Sequence, residues 1–66
     1  MKTYVYVVAE MVDGLPSFRH AFIHAEDDDD AYTVGHRCVR QPTGNGINDY
    51  VIEIPVELSP LPYTTK

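Results

Sequence analysis

Cysteine is nearly missing from this chain. Cys38 is the only one among 66 residues, so no disulfide can form within it. A lone thiol fits a reducing compartment, and a cytoplasmic location is expected. Long apolar runs are missing as well. No stretch approaches the ~20 residues of a membrane-spanning helix, so no membrane association is expected. The opening MKTYVYVVA is short, contains tyrosine and has no cleavage site, which does not match a secretory signal. Basic residues are few: five Lys and Arg stand against ten Asp and Glu, for a formal net charge of −5. Phosphate backbones are held by Lys and Arg, so direct nucleic-acid binding is disfavoured. An acidic chain suits a protein partner with a basic surface instead.

Motifs that carry chemistry are also lacking. Gly44-Asn45-Gly46 has no preceding strand, following helix or third glycine of a dinucleotide fingerprint. No nucleophile elbow occurs, and no nucleophile, base and orienting group converge. His20 and His24 lie on a strand-like run, where four residues span ~13 Å, too far to share one ion. His36 and Cys38 are two apart on a helix and diverge by ~200°. A site built across elements, such as His20 with Cys38, stays open, with a metal-dependent activity as its consequence. Asp27–Asp30 lacks the alternating pattern of a calcium loop. The expectation is a non-catalytic protein with no cofactor.

What is present reads as one small domain. A 44% hydrophobic content argues for a folded chain, and at 66 residues the core must be thin. Thr3–Met11 is rich in Val and Tyr and predicts a strand. Asp13-Gly14 is a strong hairpin signal, since both positions tolerate positive φ. A second β-type run covers Phe18–His24. A two-residue turn there pairs Val12 with Leu15, Ala9 with Phe18, Val7 with His20 and Val5 with Phe22, and on the other side Tyr6 with Ala21 and Tyr4 with Ile23. Pro16 leaves a longer loop open. Acids followed by small apolar residues predict a helix from about Asp28 to Arg40, with Ala31, Val34, Gly35, Cys38 and Val39 on its packing face. Acids suit its start and Arg37 and Arg40 its end, and Pro42 stops it. Positions 41–49 read as a loop and Tyr50–Val56 as a third strand, with Pro55 placing it at an edge. Ser59-Pro60-Leu61-Pro62 predicts an extended tail over 58–66, leaving a domain of 1–57. A right-handed crossover then gives an α+β fold, ββαβ, with a three-stranded antiparallel sheet in order 2-1-3 and one helix on one face.

One helix covers one sheet face, and both faces here are apolar. With Val5, Val7, Ala9, Phe18, Phe22, Ile52 and Ile54 assigned to the covered face, the open face carries Tyr4, Tyr6, Val8, Arg19, Ala21, Ile23, Val51 and Glu53. If the helix lies on the other side, the open patch is Phe18, His20 and Phe22 with Val5 and Val7. An open apolar face marks an interface with a partner or a second copy. Glu26, Asp27, Asp28, Asp29 and Asp30 form a dense negative run that reads first as a solvated helix start. It can also occupy a basic groove in place of phosphates.

The hairpin Tyr4–His24, the acid-capped helix Glu26–Arg40 and the strand Tyr50–Val56 together resemble small phage-encoded inhibitors of bacterial defence, including some anti-CRISPR proteins. The resemblance is one of layout over most of the chain and carries over no functional residue. It implies a small inhibitor or adaptor that occupies a protein surface. The same opening resembles HicB-type antitoxins, although their Pro-Asp-Leu-Pro-Gly-like segment is absent. The expected function is therefore an acidic binding protein using Glu26–Asp30 for charge and Tyr4, Tyr6, Val8, Arg19, Ile23, Val51 and Glu53 for contact. A homodimeric accessory domain and an antitoxin-like regulator are the alternatives.

Overall fold

A computed structural model describes residues 1–58 of the chain. Its elements are β1 (Lys2–Val12), β2 (Leu15–Ala25), α1 (Asp28–Cys38) and β3 (Asn45–Ile54), followed by a short 3-10 turn at Val56–Leu58. The strands form one antiparallel sheet in the order β2-β1-β3, with the helix packed on it. This is the ββαβ, α+β layout expected from the sequence. The expected Pro60–Pro62 tail lies outside the described residues.

The hairpin register is set by its turn. Asp13 and Gly14 adopt φ of 53° and 79°, the paired left-handed conformation that matches the twist of two strands joined by two residues. Val12 therefore faces Leu15, and each later pair follows: Ala9 with Phe18, Val7 with His20, Tyr4 with Ile23. Pro16 sits in β2 opposite Met11 without lengthening the loop. β2 is an edge strand, where a missing N–H donor is tolerated.

β3 begins earlier than expected. Asn45 and Gly46, read from the sequence as loop, already belong to the strand, and the pairing with β1 shifts between Ala9 and Met11. Gly46 has φ of 59° beside this irregularity, a conformation that suits glycine. Gly44 donates its N–H to Glu10 Oε1 at 2.6 Å. A Cβ at position 44 would lie 2.7 Å from that same oxygen, so only glycine lets the loop close on β1 there.

The helix starts on a cap made from its own acids. Asp27 is extended and accepts a hydrogen bond from the Asp30 N–H at 2.9 Å, while Asp30 Oδ2 accepts one from the Glu26 N–H at 2.9 Å. This reciprocal arrangement resembles a capping box and satisfies donors left over at a helix start. At the other end Val39 turns extended and donates to the Gly35 carbonyl, so the helix stops at Cys38, two residues short of the expected Arg40. Cys38 is exposed and is not part of the packing face assigned to it. Ala31 and Gly35 are the buried helix residues, with Val34 and Val39 partly covered.

The helix lies on the face opposite to the one first assigned. Tyr4, Tyr6, Val8 and Ile23 are buried beneath it, with Ala25 and Ala31 completing the core and Ala21 and Val51 packed against it. The reason is shape. Small residues on the helix, Ala31 and Gly35, bring its backbone close and need bulky partners below. Tyr4 and Tyr6 supply that bulk, and Val5, Val7 and Ala9 do not. The open face therefore holds Val5, Val7 and Ala9 of β1, Phe18, His20 and Phe22 of β2, and Tyr50 and Ile52 of β3.

Candidate functional site

The correction of face changes what each expected contact residue does. Tyr4, Tyr6, Val8 and Ile23 are core residues and are closed to a partner. Val51 packs at the edge of that core. Arg19 is only partly exposed, and its Nη2 donates to Glu10 Oε2 at 2.7 Å. Glu10 is buried at 5% exposure, and its two oxygens are both used, one by Arg19 and one by the Gly44 N–H. This carboxylate, not singled out from the sequence, ties β2, β1 and the start of β3 together. Its even-numbered position in β1, on the side of Tyr4, Tyr6 and Val8, was the available signal.

A second polar group on the helix side was also missed. The Tyr6 hydroxyl donates to Asp49 Oδ2 at 2.9 Å, and His36 Nε2 lies 2.9 Å from the same oxygen. The Tyr6 ring meets the His36 ring edge-on, with centroids 5.6 Å apart, and meets Tyr32 in the same way at 6.4 Å. The His36 hydrogen bond is the main reason that the Asp49 carboxyl is held below its usual range, with the Tyr6 hydrogen bond acting in the same direction against burial. Burial, then the bond to Asp49, pushes the Tyr6 phenol up to about 12. The cluster joins α1 to β1 and β3. Its hydrogen bonds fix the helix on the sheet.

Glu53, expected on the open contact face, lies instead on the helix side of the sheet. It is an exposed β3 residue opposite Tyr4, and it acts on the Tyr4 phenol together with Asp28 and Asp27 of the helix start. Tyr4 is 0% exposed and its phenol is pushed up to about 12, first by burial and then by Asp28. The hydroxyl is near Asp28, yet makes no hydrogen bond of acceptable geometry among the described residues. Carboxylates from two elements thus gather at one end of the molecule around a buried phenol. Lys2 is 3.9 Å from Glu53, an exposed pair of small energetic worth.

The acidic run divides by task. Asp27 and Asp30 are committed to the cap. Glu26, Asp28 and Asp29 are exposed, and no hydrogen bond draws on their side chains among the described residues. Glu53, beside Lys2, is likewise exposed.

No protein-family model, curated protein or solved structure matches this chain.

The remaining expected site residues are dispersed. His20 stacks edge-on against Phe22, with centroids 5.7 Å apart, on the open face. His36 is engaged with Asp49, and Cys38 stands alone at the end of the helix. Among the described residues no three His, Cys, Asp or Glu side chains are placed to hold a metal ion. Nor, among those residues, is any helix long and apolar enough to cross a membrane.

Proposed function

We propose that this chain is a small acidic binding protein, non-catalytic, that sets its acidic end on a basic surface of a partner protein, such as one that normally holds nucleic acid. The observation that carries this reading is the placement of Glu53 of β3, paired with Tyr4, and of Asp28 at the start of α1 near the same Tyr4 side chain. A helix start alone would account for acids in its first turn. It does not account for a carboxylate delivered to the same end by a neighbouring strand. The helix N-terminus contributes a positive dipole that offsets part of this charge locally, but the offset is about half an elementary charge. Several carboxylates exceed it, and the net field at this end is negative.

Such a surface speeds encounter with a basic partner and loses affinity as salt rises. The test uses the full chain as bait against a bacterial lysate at low salt. The comparison is between wild type and Asp28→Asn/Asp29→Asn/Glu53→Gln, which leaves the cap acids in place. The reading expects basic proteins retained by wild type, released by salt, and lost from the variant. An identical captured set for both proteins would refute it.

A further inference from the structure

We propose that the open face of the sheet is an interface between two copies of this chain. This goes beyond the function proposed above and stands independently of it.

The face is mostly apolar, with His20 and Asn48 as its polar members between Val5 and Ala9, and among the described residues the helix packs on the other side. Phe18 is 68% exposed, Ile52 49% and Tyr50 41%, values at odds with a simple solvated sheet face, which alternates to polar residues. Contiguous apolar surface of this kind marks an interaction site. Its charge selects the occupant. Across the paired stretch from Val5 to Ala9 and its neighbours on β2 and β3, no Asp, Glu, Lys or Arg points to this side. Glu10, Arg19, Asp49 and Glu53 all fall on the helix side of the pleat. A basic partner would find nothing here to pair with. A second copy, carrying the same net charge of −5, can approach through this face without setting carboxylate against carboxylate. It is the one side of the sheet where self-association meets no like charge.

Size and shape agree. At ~3.3 Å per residue and ~4.8 Å between strands, the three-stranded face has a footprint of ~30 Å by ~14 Å. With side-chain relief, its accessible area reaches the order of the ~800 Å² per partner of a standard interface. Phe18 and Phe22 on β2 and Tyr50 and Ile52 on β3 stand as ridges on either side of the smaller Val5 and Val7 of β1. The ridge of one copy can enter the trough of the other, as sheets do when they stack ~10 Å apart. A two-fold axis uses the same patch twice, so this single face is sufficient. The chain also has reason to dimerise: among the described residues six hydrophobic side chains form the buried core, and small domains commonly gain stability by association.

The experiment is light scattering coupled to size exclusion over a concentration series, with circular dichroism as the check on folding. Wild type is expected at twice the 7.5 kDa chain mass. Phe18→Glu, at an exposed position outside the core, is expected to keep the wild-type spectrum and weaken dimerisation by ~100-fold or more. Should that variant fail to fold, Ile52→Glu on the opposite edge reads the same interface. Asp28→Asn/Asp29→Asn is expected to leave the dimer intact, which separates this proposal from the acidic-end reading. A wild-type monomer throughout the series would overturn the proposal, as would a dimer that survives both face variants.

Discussion

Gly35 of the helix lies directly on the ring of Tyr6. A Cβ at position 35 would sit 2.5 Å from Tyr6 Cδ1 and 2.8 Å from Cδ2, so the helix reaches the sheet only because that carbon is missing. In an exposed helix, Gly→Ala gains about 1 kcal/mol of propensity. Here the ring cannot retreat, since its hydroxyl is tied to Asp49 and its edges meet Tyr32 and His36. Overpacking of ~1–3 kcal/mol or more wins. Gly35→Ala is expected to lower the thermal midpoint by on the order of 10 °C in a domain this small. Thr33→Ala, on the exposed side of the same helix, is expected to leave it unchanged or slightly raised. Thermal melts of the two variants measure the difference.

Asp49 predicts an acid dependence of stability. Its folded carboxyl is held below the ordinary 3.8, chiefly by His36, so the unfolded chain takes up the proton first as pH falls. The stabilisation is present above 3.8 and is lost as pH drops through the folded value. Asp49→Asn removes this titration. Denaturant unfolding across the acid range is expected to show a shallower acid limb for the variant. At neutral pH the variant is expected to be less stable by about 1 kcal/mol, a modest figure because Asp49 is partly solvated.

The alkaline side runs the other way. Tyr4 and Tyr6 have phenols raised from 10.0 to about 12 in the fold. The folded state holds these protons longer than the unfolded chain does. Their stabilisation is complete below 10 and is lost as pH rises toward 12. Two of the five tyrosines are therefore expected to ionise late. Their phenolate absorbance should appear together with loss of the circular dichroism signal. Tyr6→Phe should remove one of these two late steps.

The division of labour within the acidic run gives a further contrast. Asp27→Ala removes the acceptor for the Asp30 N–H and is expected to cost ~1 kcal/mol of stability. Asp28→Asn, one residue on, is expected to change stability by a few tenths of a kcal/mol at most. Chemical denaturation of the two single variants distinguishes a capping acid from an available one.

Much of this fold is legible in the residues themselves. Asp13-Gly14 allows little besides a tight hairpin, and that turn sets every pair back to Tyr4 and Ile23. β3 is an edge strand, but it stops at Ile54 and not at the expected Val56, so Pro55 marks the strand's end, where its missing N–H cannot continue the ladder, and not a place within it. The side chosen by the helix is not legible from hydrophobic alternation, because Val5 and Val7 are as apolar as Tyr4 and Tyr6. The usable signal was complementarity of size: a helix face of Ala31 and Gly35 demands large rings opposite. Parity was a second one, since Glu10 and Arg19 share the tyrosine side and find each other there. The start of β3 at Asn45 was hidden because Gly44-Asn45-Gly46 has a turn's composition. It is drawn into the sheet by the bond from the Gly44 N–H to Glu10, a contact 34 residues apart in sequence. Cys38 was misplaced because the helix unwinds one residue after it.

The most direct test of the binding role is the salt dependence of affinity for the captured basic partner, measured for wild type and for Asp28→Asn/Asp29→Asn/Glu53→Gln. The account predicts that wild-type affinity falls steeply as salt rises, and that the variant binds weakly at low salt with a flatter slope. Equal affinities and equal slopes for the two proteins would contradict it.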